Sequence, residues 1–303
     1  MARVPVPKRL LDALSDDPPG AVRSWLDALP ETVERQLAAW ELTLERVSTP
    51  GGRRGLVALV RQADGTPAAL KFPVPGPDAE CERAALAHWD GWGAAQLLRA
   101  DPDTGALLIE RLHGTVSLRS LPEAKALLEA AGTVRRLWVA PPEGHPFASI
   151  NGRTEEDREV LRMLGAGGWT AEARPLTEEA LELREALPAE PPEEVLLHGD
   201  FRQGKVLAGE RAPWLAVGPA PLVGERAYDL ARLVLDRYED LAAGPGPAAA
   251  ARRRVAKLAD SLDVDRDRLR GWSLYRAVEA GLRHAAAGDR RRAELLLEFA
   301  GWL

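Results

Sequence analysis

At 303 residues the chain has material for one two-lobed domain or two close-packed ones, with enough length to bury a full core. A hydrophobic fraction of 46%, a charged fraction of 28% and a net charge of −6 describe a globular protein; the acidic balance argues against a general nucleic-acid binder and suits a cationic small ligand. The single cysteine, Cys81, rules out an internal disulfide and a cysteine-based metal site, and the five histidines fall at no ligand spacing.

Residues 6–16 and 20–40 have the apolar spacing of amphipathic helices, with a break at Asp17-Pro18-Pro19-Gly20. The first segment has no apolar core long enough for a signal peptide and nothing in the chain is long enough to cross a bilayer, so the expected location is cytoplasmic, with no membrane partner. From Glu41 the period changes to two, which predicts a first strand. Leu56 to Arg61 is a second and Pro67 to Phe72 a third, with a hairpin signal at Asp64-Gly65 between them. The link between the first two strands, Thr49 to Gly55, contains Gly51 and Gly52. It either brings backbone N–H groups to phosphates or is a plain flexible hairpin.

Lys71 ends the third strand, and the helix predicted from Asp78 to Trp89 puts Glu82, Leu86 and Trp89 on one face. A carboxylate on an apolar face needs a partner, and Lys71 is the candidate; Glu80 lies off that face. A strand lysine paired with a helix glutamate is the pair that orients ATP phosphates in kinases. Ala95 to Arg99 and Ala106 to Glu110 form a further hairpin, which completes five strands with one inserted helix. Glu110 to Gly114, which includes Leu112, is then expected to leave the sheet as a short connector into a helical region. The rest reads as helices at about 121–138, 154–165, 177–187, 225–237, 248–261, 265–286 and 289–303, with the arginine runs 252–254 and 290–292 as solvated faces.

Inside that helical region lies Val195 to Pro219, a strand, then His198-Gly199-Asp200, then a second strand at Trp214 to Val217. This is the layout of a kinase catalytic loop, in which the aspartate takes the proton of the acceptor hydroxyl. Gly199 to Lys205 also fits the first part of a P-loop. Val206 stands where that motif needs the magnesium-binding hydroxyl, and the following residues do not continue as a helix, so the P-loop reading is rejected.

Taken together, Ala63 to Lys71, Glu82 to Trp89, Gly105 to Leu112, Leu197 to Asp200, Pro213 to Ala216 and Leu222 to Leu230 resemble the aminoglycoside phosphotransferase family, in its streptomycin and hydroxyurea branch. The resemblance implies an α+β, two-lobed kinase-like fold. It has an antiparallel five-stranded sheet over about 41–113, preceded by N-terminal helices over 1–40 and followed by a mainly helical lobe over 114–303. It implies ATP as the phosphate donor and a small polyhydroxylated, cationic acceptor. Lys71 and Glu82 would orient the nucleotide, Gly51 and Gly52 would lie near its phosphates, Leu112 would face the adenine, and Asp200 would be the base. Asp229 would brace the loop through backbone hydrogen bonds.

The departures concern metal. The family pattern has asparagine where this chain has Lys205, an aspartate where it has Gly218, and a lysine where it has Ala220. Neither an ammonium nor a glycine can ligate magnesium, so no metal ligand is assigned and magnesium is not supported. Two readings follow. One is a degenerate kinase that keeps the fold and binds nucleotide or a metabolite. The other is an active phosphotransferase in which Lys205 stands in for the metal. In both, Lys205 is counted among the nucleotide-binding residues, because its ammonium can pair directly with a phosphate. A third, a structural or regulatory protein, has no residue that identifies its partner.

Overall fold

The computed structural model describes residues 4–14, 20–166 and 173–303. The chain divides into two compact units, Met1–Val116 with Leu207–Gly218, and Ser117–Val206 with Pro219–Leu303. Among the described residues no helix is long and apolar enough to cross a membrane. The expected break at Asp17-Pro18-Pro19 lies outside the described residues.

The first unit opens with α1 (Lys8–Ala13) and α2 (Gly20–Ala39), then β1 (Thr43–Val47), β2 (Gly55–Arg61), β3 (Pro67–Pro73), α3 (Pro77–Trp89), β4 (Leu97–Ala100), β5 (Leu107–Glu110) and β6 (His113–Ser117). The first five strands form one antiparallel sheet in the order β1–β2–β3–β5–β4, the sheet with one inserted helix that the sequence predicts. Alternation puts Leu56, Ala58 and Val60 of β2 and Ala68, Leu70 and Phe72 of β3 into one core, with Leu10 of α1 and Leu29 and Val33 of α2. Lys71 has the opposite parity on β3, and so faces away from that core.

The chain continues through α4 (Glu123–Leu137), α5 (Ile150–Gly165), α6 (Arg174–Ala186), β7 (Val195–Leu197), β8 (Val206–Ala208), β9 (Trp214–Ala216), β10 (Leu222–Gly224), α7 (Arg226–Val234), α8 (Tyr238–Ala243), α9 (Pro247–Leu262), α10 (Arg266–Ala286) and α11 (Arg290–Trp302). β6, β8 and β9 make a three-stranded sheet, and β7 pairs antiparallel with β10. The core of the second unit contains an aromatic cluster. Trp272 of α10 meets Tyr228 and Tyr275 edge-on, with ring centroids 5.0 and 5.6 Å apart, and its indole N–H donates to Glu225 at 2.7 Å. That contact fixes the start of α7.

Several expectations are corrected. The segment after Glu110 does not pass directly into helices: His113–Ser117 is a strand, its β-branched Thr115 and Val116 suiting a sheet whose partner arrives only at Val206–Ala208. α5 begins at Ile150, before the expected 154, because the Ser149 hydroxyl accepts from the Gly152 N–H at 3.0 Å and caps the turn. α8, β8 and β10 were not anticipated as elements. Arg254 is not on a solvated face; it is buried, and its guanidinium donates to the backbone carbonyls of Val234 and Asp236 and pairs with Glu123. The charge stays inside because backbone acceptors surround it.

Candidate active site

α3 starts at Pro77, carries Asp78 and Glu80 in its first turn, and ends on Asp90 in the left-handed conformation, whose N–H bonds Leu86. The proline fits the first turn, and the acids suit its positive end. This phase buries Glu82, Leu86 and Trp89 together. The Lys71 ammonium donates to both carboxylate oxygens of Glu82, at 2.6 Å to Oε2, with side chains only 13% and 8% exposed. Glu80 instead pairs with Arg83 at the surface. The pair is held from both sides, because Lys71 sits on the central strand between Val57 of β2 and Leu107 of β5.

Gly51 is in the left-handed region at φ +78°, and a Cβ built there would lie 2.9 Å from the Pro7 side chain, so the N-terminal segment rests against this glycine. Gly52 has normal φ, and a Cβ there would meet the Gly55 carbonyl at 3.3 Å. Leu112 follows β5, and its side chain lies against Gly209, 3.0 Å from where a Cβ there would be.

In the second unit, pairing with β10 buries β7 and delivers His198, Gly199 and Asp200 to the loop. Asp229 of α7 braces the turn as expected: its carboxylate accepts from the His198 N–H at 2.9 Å, the Gly199 N–H at 2.8 Å and the Trp138 indole at 3.3 Å. Burial pushes the Asp229 carboxyl up to about 6, against those three donors.

Asp200 is not free. Lys205 lies 2.6 Å from its Oδ2, Arg232 donates to Oδ1 at 2.9 and 3.2 Å, and Arg202 Nε lies 3.6 Å from Oδ1. Burial alone would raise this carboxyl, but the charges of Lys205, Arg232 and Arg202 outweigh it and hold it well below the usual carboxylate range. Sequence reading missed Arg202 and Arg232. Arg202 follows Asp200 closely, but nothing local distinguishes it from a solvated arginine. Arg232 arrives from α7, where its neighbours Ala231, Leu233 and Val234 are all buried; a cation on so buried a helix was the available signal. Among the described residues no group of three or more His, Cys, Asp or Glu is placed to hold a metal ion.

The depressed Asp200 carboxyl sets a sign. A carboxyl lower in the folded than the unfolded chain stabilises fully above its unfolded value, ~3.9, and that stabilisation fades as pH falls toward the folded value. The stability difference between the natural chain and Asp200→Asn, measured by denaturant midpoints, is expected to be constant from pH 7 to ~5 and to shrink below pH ~4. A difference that stays constant down to pH 3 would contradict the ion cluster.

The family model described as aminoglycoside/hydroxyurea antibiotic resistance kinase matches residues 39–288. The chain belongs to this family. Two relatives of the antibiotic resistance kinases show the extent of the likeness. The streptomycin 6-kinase of Streptomyces glaucescens is 36% identical over 263 residues, covering 86% of this chain and 84% of that protein. The hydroxyurea phosphotransferase of Kitasatospora aureofaciens is 35% identical over 297 residues, covering 95% and 82%. Among solved structures, a thermostable mutant of aminoglycoside phosphotransferase APH(4)-Ia in complex with ADP and hygromycin B aligns with TM-score 0.62 at 17% identity, covering 88% of this chain and 96% of that one. The choline kinase LicA from Streptococcus pneumoniae aligns with TM-score 0.62 at 11% identity, covering 91% and 99%. The α+β kinase-like fold of this chain is therefore established. Lys71, Glu82, Asp200, Lys205 and Gly218 all lie inside the matched residues.

Proposed function

We propose that this protein binds a nucleotide through Lys71 and Glu82 but has lost magnesium-dependent transfer of phosphate to a hydroxyl. The observation that carries this reading is the state of Asp200. A general base needs a lone pair available to the acceptor hydroxyl and a proton affinity suited to its task. Asp200 accepts from Lys205 on one oxygen and from Arg232 on the other, and these cations hold its carboxyl well below the usual carboxylate range, which opposes its taking a proton.

The residues do not fit magnesium. Hard cations of this kind are held by carboxylate, carbonyl and water oxygens, and here the candidate carboxylate already faces an ammonium and two guanidinium groups. ATP fits better, since the intact Lys71–Glu82 pair supports a role in orienting phosphates. In that role Lys71 would contact phosphate oxygens while Glu82 fixes its direction, with Gly51 and Gly52 near the phosphates and Leu112 against the base.

A second reading is favoured by the relatives, which are named as kinases of streptomycin and of hydroxyurea. In it the chain is an active phosphotransferase acting on a small hydroxylated acceptor, with Lys205 as the fixed cation. Net charge −6 favours a cationic acceptor, but the cations at Asp200 oppose seating a positive group there. Calorimetric titration of ATP in magnesium and then in EDTA separates the readings. The affinity is expected to be no greater with magnesium, and no phosphate transfer to streptomycin or hydroxyurea is expected. Clearly tighter binding with magnesium, or turnover, would support the second reading.

A further inference from the structure

The loop after β7 gathers more positive than negative charge. Asp200 is shared by Arg202, Lys205 and Arg232. The nearby Asp236 brings a second carboxylate and a fourth cation, its oxygens accepting from the Gln203 N–H at 2.6 Å, the Arg237 N–H at 3.1 Å and Arg119 at 3.2 Å. Four side-chain cations thus meet two carboxylates. Arg202 Nε has no hydrogen-bond partner among the described residues. Beside it the Gln203 amide is fully buried, and neither its oxygen nor its nitrogen finds a partner among the described residues. Unmet donors in a cationic, partly buried setting favour an anion over a cation.

We propose that Arg202, Lys205 and Arg232 form an oxyanion site for a phosphate or carboxylate group of a small ligand, in which Asp200 is the resident competitor. The inference deepens the proposed function, on whose reading of Asp200 as a held carboxylate it rests, by giving the charge of the ligand. Guanidinium and ammonium groups share an oxyanion by charge-assisted hydrogen bonds, and an incoming anion trades against the Asp200 contacts already made.

Pyrophosphate in EDTA, titrated by calorimetry, is the probe. Lys205→Met and Arg202→Gln are each expected to weaken its binding about tenfold, the scale of one charge-assisted contact. Asp200→Asn is expected to tighten it about tenfold, since the competing charge is removed at nearly constant shape. That direction guards against misfolding, because a damaged loop does not gain affinity. No binding of pyrophosphate, no effect of the two cation variants, or weaker binding by Asp200→Asn would each overturn the site. Adding ATP to the pyrophosphate-saturated protein identifies the source: competition assigns the oxyanion to the nucleotide, and simultaneous binding assigns it to a separate anionic ligand. Magnesium-tightened ATP binding alongside stronger pyrophosphate binding in Asp200→Asn would reject the proposed function and leave this site standing.

Discussion

Lys205→Asn with Gly218→Asp is expected to make ATP binding magnesium-dependent, with affinity in magnesium at least about tenfold above that in EDTA. Two effects add. The variant removes an ammonium whose repulsion of a unit charge ~4 Å away is roughly 4 kcal/mol at intermediate dielectric, and more for a divalent ion. It also supplies two oxygen donors of the kind magnesium takes. Gly218 sits at φ +61°, a conformation that aspartate tolerates better than most residues, so the backbone cost is about 1 kcal/mol. Removing Lys205 also takes the nearest cation from Asp200, and its carboxyl should rise toward the ordinary range. Isothermal calorimetry checks the affinity, and a coupled ADP-release assay checks for turnover. Equal affinity with and without magnesium in the double variant would show that positions 205 and 218 are not the metal positions.

Gly199→Ala is expected to cost about 3 kcal/mol or more of stability, the sum of a left-handed backbone penalty and an unrelieved clash. Gly199 has φ +76°, and a Cβ there would fall 1.8 Å from the Ala220 carbonyl oxygen, a backbone atom that cannot swing aside. The approach is fixed on its other side by the Ala220 N–H, which donates to the His198 carbonyl at 2.9 Å. Moving the loop to make room would break the two backbone bonds to Asp229. Chemical denaturation followed by circular dichroism measures the loss. A change below 1 kcal/mol would mean that the loop shifts freely and that the geometry around Asp200 is not fixed.

Much of this was legible because it is local. The alternation of β2 and β3 follows from residues a few places apart, and the phase of α3 places Glu82 from its own helix alone. The Lys71–Glu82 pair needed only those two facts and the cost of leaving a carboxylate unpaired. The state of Asp200 was not legible, because it depends on Arg232, which only the folding of α7 against the loop brings near. β6 failed for a related reason: its residues are mostly exposed, so no buried face marks it, and its partner comes only at Val206. Arg254 sits in a run of three arginines whose composition suggests a solvated surface, and only carbonyls contributed by Val234 and Asp236 make its burial affordable.

The clamp on Asp200 also bears on how such sequences diverge and how they are counted. A carboxylate shared by three cations has a structural part to play apart from moving protons, since its loss would leave Lys205, Arg202 and Arg232 facing one another. Once lysine occupies position 205, the aspartate becomes hard to lose even if turnover has ceased. Under the proposed function, a His-Gly-Asp signature alone does not separate a chain that transfers phosphate from one whose aspartate only holds cations.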